Sequence, residues 1–322
     1  MGSALPVTAA GAWLDEQGAA PWTRVDRAHF AFAHRLAHHE LFDLKCIARA
    51  SEHVVDDGYY QRHVKSSDRQ IDKSLLKHRL SDSIARLEDG EAHWLKLSHV
   101  EELGLGYREL MHELLAELEE RLEVPIRRRM TFCGMTVFMN SPGLDVPYHF
   151  DHETNFLLQI RGTKDVYLWD AHDPEVLTQR ELERFYRGSS MAGVWRDELM
   201  ARATRYPLTP GAAVHHPPLA PHMIRNGNQV SVSLSLYYVL PETDVAARIY
   251  QANYCMRRYG LRPRAPGASA RSDRAKIALV SALSATRPES REEALFSGVR
   301  RLDRPFEMIK SLVSPFRAKQ PA

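Results

Sequence analysis

The sequence predicts a mainly β fold, a sandwich or jelly-roll barrel, with helices before and after it. Apolar residues recur at three-to-four spacing before residue 122, at a spacing of two between residues 129 and 240, and at three-to-four spacing after residue 242. Turn-forming residues separate the apolar runs of the middle zone, as in SPGLDVP, LTPGA and RNGN. Many short strands with such turns are typical of antiparallel barrels and sandwiches, not of βαβ sheets.

The N-terminal part divides into an extension, residues 1–26, and a helical region, residues 27–128, which we expect to pack on the barrel. Apolar residues of RAHFAFAHRLAHHELFDLKCIARA recur at helical spacing from Phe30 onward, and YRELMHELLAELEERL repeats leucine from Leu110 to Leu122. Between these segments, SLLKHRLSDSIARLEDG indicates a weaker helix pair or a loop, and AHWLKLSHV indicates a short strand.

Residues 129–240 form the predicted β core, in which RMTFCGMTVFMN and VSVSLSLYYV alternate and KDVYLWD is strand-like. An insertion from Glu175 to Thr204 contains TQRELERFYRG, which predicts a short helix. Residues 241–322 predict a helical C-terminal region. After Tyr254 there are 15 Lys and Arg against 6 Asp and Glu, which favours a solvated or oligomer-supporting surface over one that binds nucleic acid.

The composition of the 322-residue chain is that of an ordinary globular protein, with 44% hydrophobic and 26% charged residues. A formal net charge of +2 creates no field that favours nucleic acid or a membrane surface. The three cysteines lie far apart, which indicates a reducing compartment and neither disulfides nor a zinc knot. No apolar run approaches a membrane span and no secretory signal is evident, so we expect a cytoplasmic protein.

Metal-binding side chains cluster in YHFDHETNFLLQIRGTKDVYLWD, residues 148–170. Residues i and i+2 share a face of a strand, so His149 and Asp151 project together. A His-x-Asp pair with one distant His is the two-His-one-carboxylate arrangement that binds Fe(II) and leaves coordination positions open. His222, after a Pro-rich turn and before a strand, is the best candidate for the distant ligand, and His215 and His216 compete with it.

Lys164 opens the strand KDVYLWD, 13 residues after Asp151. A lysine that points into a barrel is unfavourable unless it meets an anion. Without the metal pair, Lys164 would be an ordinary strand-edge lysine, but beside that pair an anion-binding role is the better interpretation.

The segment HFDHETNFLLQIRGTK resembles the JmjC and cupin-like Fe(II)/2-oxoglutarate hydroxylases, above all the type of asparaginyl hydroxylase that inhibits hypoxia-inducible factor. That family has His-x-Asp, an Asn four residues after the Asp, and F-x-x-Q-[IV]-x-G-x-K ending on the cosubstrate lysine. Its second block, PG…PP…H before an alternating strand, resembles Pro210–Gly211, Pro217–Pro218, His222 and VSVSLSLYY. The matching positions of the first block are His149, Asp151, Asn155, Phe156, Gln159, Gly162 and Lys164.

The resemblance implies a double-stranded β-helix, the jelly-roll of cupins, over residues 129–240. It implies that His149, Asp151 and His222 are catalytic residues that bind Fe(II), that Lys164 pairs with the distal carboxylate of 2-oxoglutarate, and that O₂ is the oxidant. The reaction would hydroxylate an unactivated C–H bond of a peptide or protein side chain, or of a small molecule, with succinate and CO₂ as coproducts. By analogy, the C-terminal helices would form a homodimer.

The sequence departs from the asparaginyl hydroxylase pattern at two cosubstrate positions. Val146 stands where that type has a Thr, and Ser235 stands where it has an Asn. Asn155 is interpreted as a pocket amide, with Ser235 beside the cosubstrate, and Thr154, Asn140 or Tyr148 are expected to compensate for the missing contacts. The cosubstrate-binding set predicted from the sequence is therefore Lys164, Asn155, Thr154, Asn140 and Ser235.

Two other classes of protein remain alternatives at the level of sequence. One is a non-catalytic, cupin-like sensor or transcriptional regulator that binds metal and ligand, with the basic C-terminal region contacting DNA. The other is a zinc-bound or metal-free structural barrel. An intact triad together with Lys164 argues against the structural barrel, and the absence of a recognisable helix-turn-helix pattern argues against the regulator.

Overall fold

The computed structural model of the chain describes residues 12–14, 21–51, 59–63, 80–189 and 191–317. It divides into two compact units. The first unit comprises Met1–Ala171 and Asp197–Val239, and the second comprises His172–Arg196 and Leu240–Ala322.

Two antiparallel sheets make up the framework of the first unit. The larger sheet has seven strands in the order β1-β9-β6-β11-β4-β3-β2, and the smaller sheet has four in the order β5-β10-β7-β8. The strands are β1 Phe30–Ala33, β2 Tyr59–His63, β3 His93–Ser98, β4 Phe132–Asn140, β5 Val146–His149, β6 Thr154–Arg161, β7 Lys164–Leu168, β8 Thr204–Leu208, β9 Ala212–His216, β10 His222–Asn226 and β11 Ser231–Val239.

An apolar core fills the space between the two sheets. Leu157 and Val214 contribute to it from the larger sheet, and Val166, Leu168 and Ile224 contribute from the smaller one. Strand β11 pairs with β4 along its whole length and with β6 on its other side, so its alternating sequence faces the core with every second residue. The mainly β jelly-roll class with helical flanks is confirmed.

In the part of the first unit that the structure describes, four α-helices precede β4. Helix α3 packs through the leucines predicted from its spacing, of which Leu110, Leu114 and Leu118 are buried. The strand predicted in AHWLKLSHV is present as β3, and it extends the larger sheet beyond β4. The helices are α1 Leu44–Ala50, α2 Leu80–Glu88, α3 Leu105–Leu122 and α4 Ile126–Arg129.

The helix predicted from Phe30 onward is wrong in its first half. Residues Phe30–Ala33 form β1, which pairs with β9, and Phe30 and Phe32 are both buried on one face. The segment FAFA satisfies a period of two as well as a helical period, and the open edge of β9 decides between them. His34 and His38 consequently do not share a helix, and buried His34 contacts the Gln159 carbonyl oxygen.

The second unit is helical in the residues that the structure describes. Its first helix, in the predicted insertion, begins with a capping box in which Thr178 and Glu181 exchange hydrogen bonds. No helix among the described residues is long and apolar enough to cross a membrane. The helices are α5 Gln179–Tyr186, α6 Pro241–Arg258, α7 Ala270–Leu283 and α8 Arg291–Arg317.

Candidate metal centre and its two cavities

The smaller sheet brings together the three residues predicted to hold a metal. His149 ends β5, Asp151 follows in the next turn, and His222 begins β10 directly opposite His149 in the strand pairing. The Nε2 atoms of His149 and His222 lie 3.9 and 3.6 Å from the Asp151 Oδ2 atom. The three ligand atoms lie within 4.8 Å of one another, close enough to coordinate one ion.

Both histidines are oriented by backbone contacts of the ring nitrogen that faces away from Asp151. The Nδ1–H of His149 is directed at the Pro147 carbonyl oxygen at 2.8 Å, and that of His222 at the Ala220 carbonyl oxygen at 3.0 Å. Such contacts place the proton on Nδ1 and leave the lone pair of Nε2 available to a metal. The residues present therefore fit a divalent transition-metal ion.

The protonation states of the cluster also suit a cation. Partial removal from water acts to raise the pKa of the Asp151 carboxyl, but His149 and His222 outweigh it and lower that pKa. Burial, followed by the neighbouring His149, lowers the pKa of His222. An anionic carboxylate at Asp151 and a neutral imidazole at His222 are forms that bind a metal ion.

The structure distinguishes the three candidates for the distant histidine. His215 is fully buried, and both of its ring nitrogens are engaged, by the Asn155 carbonyl oxygen at 3.1 Å and the Asp26 backbone N–H at 3.3 Å. His216 points to the opposite side of β9, and its ring lies 4.8 Å from the ring of His222. Only His222 combines with His149 and Asp151 in a group of three ligand atoms among the described residues.

Lys164 is buried, with 4% of its surface exposed. Among the described residues no hydrogen-bond acceptor or carboxylate contacts its ammonium group, and burial lowers its pKa to about 7. It lines a cavity of about 60 Å³, the Lys164 cavity, together with His149, Asp151 and His222. The lysine and the candidate metal ligands therefore line one cavity.

The turn before Lys164 has little freedom because its residues are held from several sides. The buried Gln159 amide contacts the carbonyl oxygens of Arg161 and Gly162 at 2.7 and 3.2 Å, and it also bonds the Ser231 hydroxyl. Gly162 has a φ of +71°, and a Cβ atom there would lie 2.5 Å from the Val230 carbonyl oxygen. Gln159 and Gly162 therefore act on the site through the placement of Lys164.

Asn155, Asn140 and Ser235, three of the predicted cosubstrate contacts, lie at the candidate site. Asn155 and Asn140 line the Lys164 cavity, and the Ser235 hydroxyl donates to the Asn155 Oδ1 atom at 2.8 Å. Since Ser235 holds the amide oxygen, the amide N–H groups of Asn155 remain to serve a ligand. Val146 also lines the cavity and supplies only apolar surface.

Thr154 and Tyr148 do not line either cavity, so the structure does not support the expected compensation by these residues. Thr154 lies on the opposite face of β6 from Asn155, where its hydroxyl donates to Asp26. Tyr238 donates to the same carboxylate at 3.2 Å. The ring of Tyr148 packs edge-on against Trp169 at 5.2 Å. The alternation of side chains along a strand separates Thr154 from its neighbour Asn155.

A second and larger cavity of about 250 Å³, the Tyr237 cavity, shares Asp151, Asn155 and Phe138 with the first. Its wall is mixed, with aromatic, hydroxyl and charged side chains, and burial followed by Asp151 raises the pKa of Glu153. Its further lining residues include Lys96, His99, Phe132, Thr136, Glu153 and Tyr237.

Sequence reasoning left His216 unassigned and did not place Trp94 at the site. Trp94 lines the Lys164 cavity and stacks on Phe138 at 6.0 Å. The predicted strand AHWLKLSHV was the available signal for Trp94, but its pairing with β4 is needed to put that ring in the cavity. A further group, His99, Glu101 and Glu102, also brings three ligand atoms together, but Glu101 already accepts from His99 and from the Met135 backbone N–H.

Among solved structures, the chain is similar to the ribosomal oxygenase YcfD from Escherichia coli, at 14% identity over 92% of this chain and 64% of that chain, with a TM-score of 0.43. The same ribosomal oxygenase in complex with cobalt and 2-oxoglutarate gives 16% identity over 92% of this chain and 65% of that chain, with a TM-score of 0.41. This chain thus spans less than two thirds of the length of YcfD.

A smaller part of the chain, 34%, is similar to 24% of the oxalate decarboxylase of Lactobacillus farciminis in its formate complex, at 15% identity and a TM-score of 0.23. No curated protein matches the sequence. The profile of the cupin-like domain matches residues 52–241, more than half of the 322-residue chain. This match spans the three candidate metal ligands, the Lys164 cavity and most of both sheets. The chain belongs to the family of cupin-like domains.

Proposed function

We propose that this protein is an Fe(II)- and 2-oxoglutarate-dependent oxygenase. The observation that carries the proposal is the combination of three convergent ligand atoms, from His149, Asp151 and His222, with a buried Lys164 that lies in the same cavity and has no partner among the described residues. Two histidines and one carboxylate suit iron with open coordination positions, and a structural zinc site would close them.

The role of Lys164 follows from its surroundings. A buried ammonium group without a partner is unfavourable, and a ligand carboxylate would supply the missing charge. A dicarboxylate can bind the metal at one end and the ammonium at the other, which is the chemistry of 2-oxoglutarate. The Asn155 amide, oriented by Ser235, offers a further hydrogen-bond donor to the same ligand.

Bound Fe(II) would supply the oxidising chemistry, in which O₂ hydroxylates a C–H bond while 2-oxoglutarate is converted to succinate and CO₂. The chain's own residues bind, orient and exclude water. His149, Asp151 and His222 hold the ion, and Lys164 holds the distal carboxylate. Trp94, Phe138, Leu157 and Ile224 give the cavity apolar walls, which limit the access of water to the reacting atoms.

The Tyr237 cavity is the place we assign to the substrate, because it reaches Asp151 from outside the Lys164 cavity. A peptide or protein side chain is our first choice of substrate, and a small molecule is the alternative. We further propose that the protein is related to the asparaginyl hydroxylase type, that it forms a homodimer through its C-terminal helices, and that it is located in the cytoplasm.

The test is succinate formation from 2-oxoglutarate by protein loaded anaerobically with Fe(II) and then exposed to O₂. Uncoupled turnover of this kind needs no identified substrate. We expect succinate from the natural protein and none above background from His149→Ala or Lys164→Ala. A protein that neither forms succinate nor binds 2-oxoglutarate in calorimetry would contradict the proposal, and salt-dependent DNA binding would then support the regulator.

A further inference from the structure

His216 is a buried polar side chain of the Lys164 cavity that the proposed function does not use. Only 3% of its surface is exposed, and neither Nδ1 nor Nε2 has a hydrogen-bond partner among the described residues. Its ring packs against that of His222 with centroids 4.8 Å apart. A buried imidazole without a partner is rare in folded proteins because burial removes its bonds to water.

The neighbouring His215 shows that this lack of partners is particular to His216. Both histidines are buried on β9, but His215 has a backbone partner at each ring nitrogen. The two rings point to opposite faces of the strand, so only His216 lines the Lys164 cavity. Its free nitrogens are therefore available to a molecule bound in that cavity.

Few other side chains of the cavity can serve such a molecule. Val146 is apolar, and the Ser235 hydroxyl, which lines the neighbouring Tyr237 cavity, is committed to Asn155. Asn140 lines the cavity and its buried Oδ1 atom is also unpaired. Apart from the candidate metal ligands and the Trp94 indole, the donors that the described lining residues offer to an anion are those of Lys164, Asn155, Asn140 and His216.

We propose that His216 is a binding residue for the carboxylate cosubstrate and donates a ring N–H to the carboxylate oxygen held beside the metal. This inference rests on the proposed function. Because the His216 ring packs against His222, we place it at the end of the ligand that lies beside the metal. Lys164 binds the distal carboxylate. His216 thereby replaces, from the opposite sheet, contacts that Val146 cannot make.

The test measures cosubstrate binding without turnover. Protein loaded with Mn(II) under argon is titrated with 2-oxoglutarate in a calorimeter, and each metal-free protein is titrated with Mn(II) alone. The variants are His216→Phe, which keeps a planar ring without hydrogen-bonding nitrogens, and His216→Gln, which keeps a donor. His112→Phe, at an exposed position on α3, is the matched control.

We expect His216→Phe to weaken 2-oxoglutarate binding by roughly 10- to 100-fold, the range for a lost hydrogen bond to a charged group. His216→Gln should recover most of that loss, and the Kd for Mn(II) should change less than about twofold in both variants, since neither changes a metal ligand. If His216→Phe does not fold, His216→Leu takes its place beside His216→Gln. His112→Phe should bind like the natural protein.

Two results would overturn the inference, and they are distinguishable. If the natural protein binds 2-oxoglutarate and a folded His216→Phe binds it equally well, His216 is a packing residue and the proposed function stands. If the Mn(II)-loaded natural protein does not bind 2-oxoglutarate at all, the proposed function fails and the inference fails with it.

Discussion

The two sheets of the first unit contribute different chemistry to the same site. The smaller sheet supplies Lys164 and the candidate metal ligands His149 and His222, each at a strand end. The larger sheet supplies neutral polar groups, including Asn155 and Ser235, from inside its strands.

The difference between the sheets lies in which groups are already paired. On the larger sheet, the Ser235 hydroxyl donates to the side-chain Oδ1 atom of Asn155. On the smaller sheet, the two Nε2 atoms converge on Asp151 and the Lys164 ammonium has no partner among the described residues. We infer that the smaller sheet is built for a metal and an anion, whereas much of the larger sheet would keep its hydrogen bonds without them.

The largest expected effect is on metal binding by the smaller sheet. Asp151→Ala removes the only anionic ligand and should weaken Mn(II) binding by more than roughly 100-fold, since even loss of an outer partner of a ligand costs about 10- to 100-fold. Metal titration of the purified protein measures this, with His112→Ala as an exposed control. Unchanged Mn(II) affinity in Asp151→Ala would remove the smaller sheet from metal binding.

The Lys164→Met variant tests whether the smaller sheet binds the anion through a residue that metal binding does not need. We expect 2-oxoglutarate to bind roughly 10- to 100-fold more weakly, because a charge-assisted hydrogen bond is lost, while the Kd for Mn(II) is retained. Arg161→Met, which removes an exposed cation three residues earlier, is the matched control. Equal loss in the two variants would indicate a general effect of positive charge.

The buried lysine also predicts a dependence of stability on pH in the metal-free protein. The folded pKa of Lys164 is lowered to about 7 from 10.5, so between these values the unfolded state binds one more proton than the folded state. Stability should therefore rise with pH by up to about 1.4 kcal/mol per unit above pH 7, relative to Lys164→Met. Urea unfolding of both proteins at pH 7, 8 and 9 in a chelator tests this, and parallel curves would contradict it.

The Thr154→Val variant tests the face of the larger sheet that points away from both cavities. The hydroxyl donates to Asp26 away from both cavities, so its loss should reduce the free energy of unfolding by about 1–2 kcal/mol. The Kd for 2-oxoglutarate should not change. Denaturant unfolding and calorimetry on one preparation measure both quantities. Weaker 2-oxoglutarate binding with unchanged stability would restore Thr154 as a cosubstrate contact.

The smallest effect is expected for Ser235→Ala, on the inner face of the same sheet. The Asn155 amide loses the hydroxyl that orients it, so 2-oxoglutarate should bind about two- to fivefold more weakly, the equivalent of about 0.5–1 kcal/mol. Mn(II) binding should be retained. Ser235→Thr, which keeps the hydroxyl, is the control, and a loss of Mn(II) affinity in Ser235→Ala would contradict a role confined to Asn155.

Much of the smaller sheet's contribution was predictable because it is local in sequence. His149 and Asp151 are two residues apart at a strand end, and the turn containing Gly162 leads directly into Lys164. The strict alternation of VSVSLSLYYV likewise predicted β11. These features depend on strand geometry and on backbone freedom at one glycine, which neighbouring residues determine.

The register between strands was harder to predict in both sheets, because pairing between distant segments decides it. FAFA became β1 only through the edge of β9, and the choice among three histidines required the register that sets His222 opposite His149. The orientation of Thr154, whose hydroxyl donates to Asp26 away from both cavities, was also not readable from the sequence, which does not state which of two adjacent polar residues in a strand faces a pocket.

The sequence by itself determined the fold class, the His-x-Asp pair and the lysine, because periodicity and short spacing act through the local backbone. Only the tertiary structure decided that both ring nitrogens of His215 have hydrogen-bond partners, while His216 faces the Lys164 cavity and its nitrogens have none among the described residues. These residues are adjacent and identical in type, so no local rule distinguishes them. Their environments differ because one face of β9 meets the Asp26 loop and the other lines the cavity between the sheets.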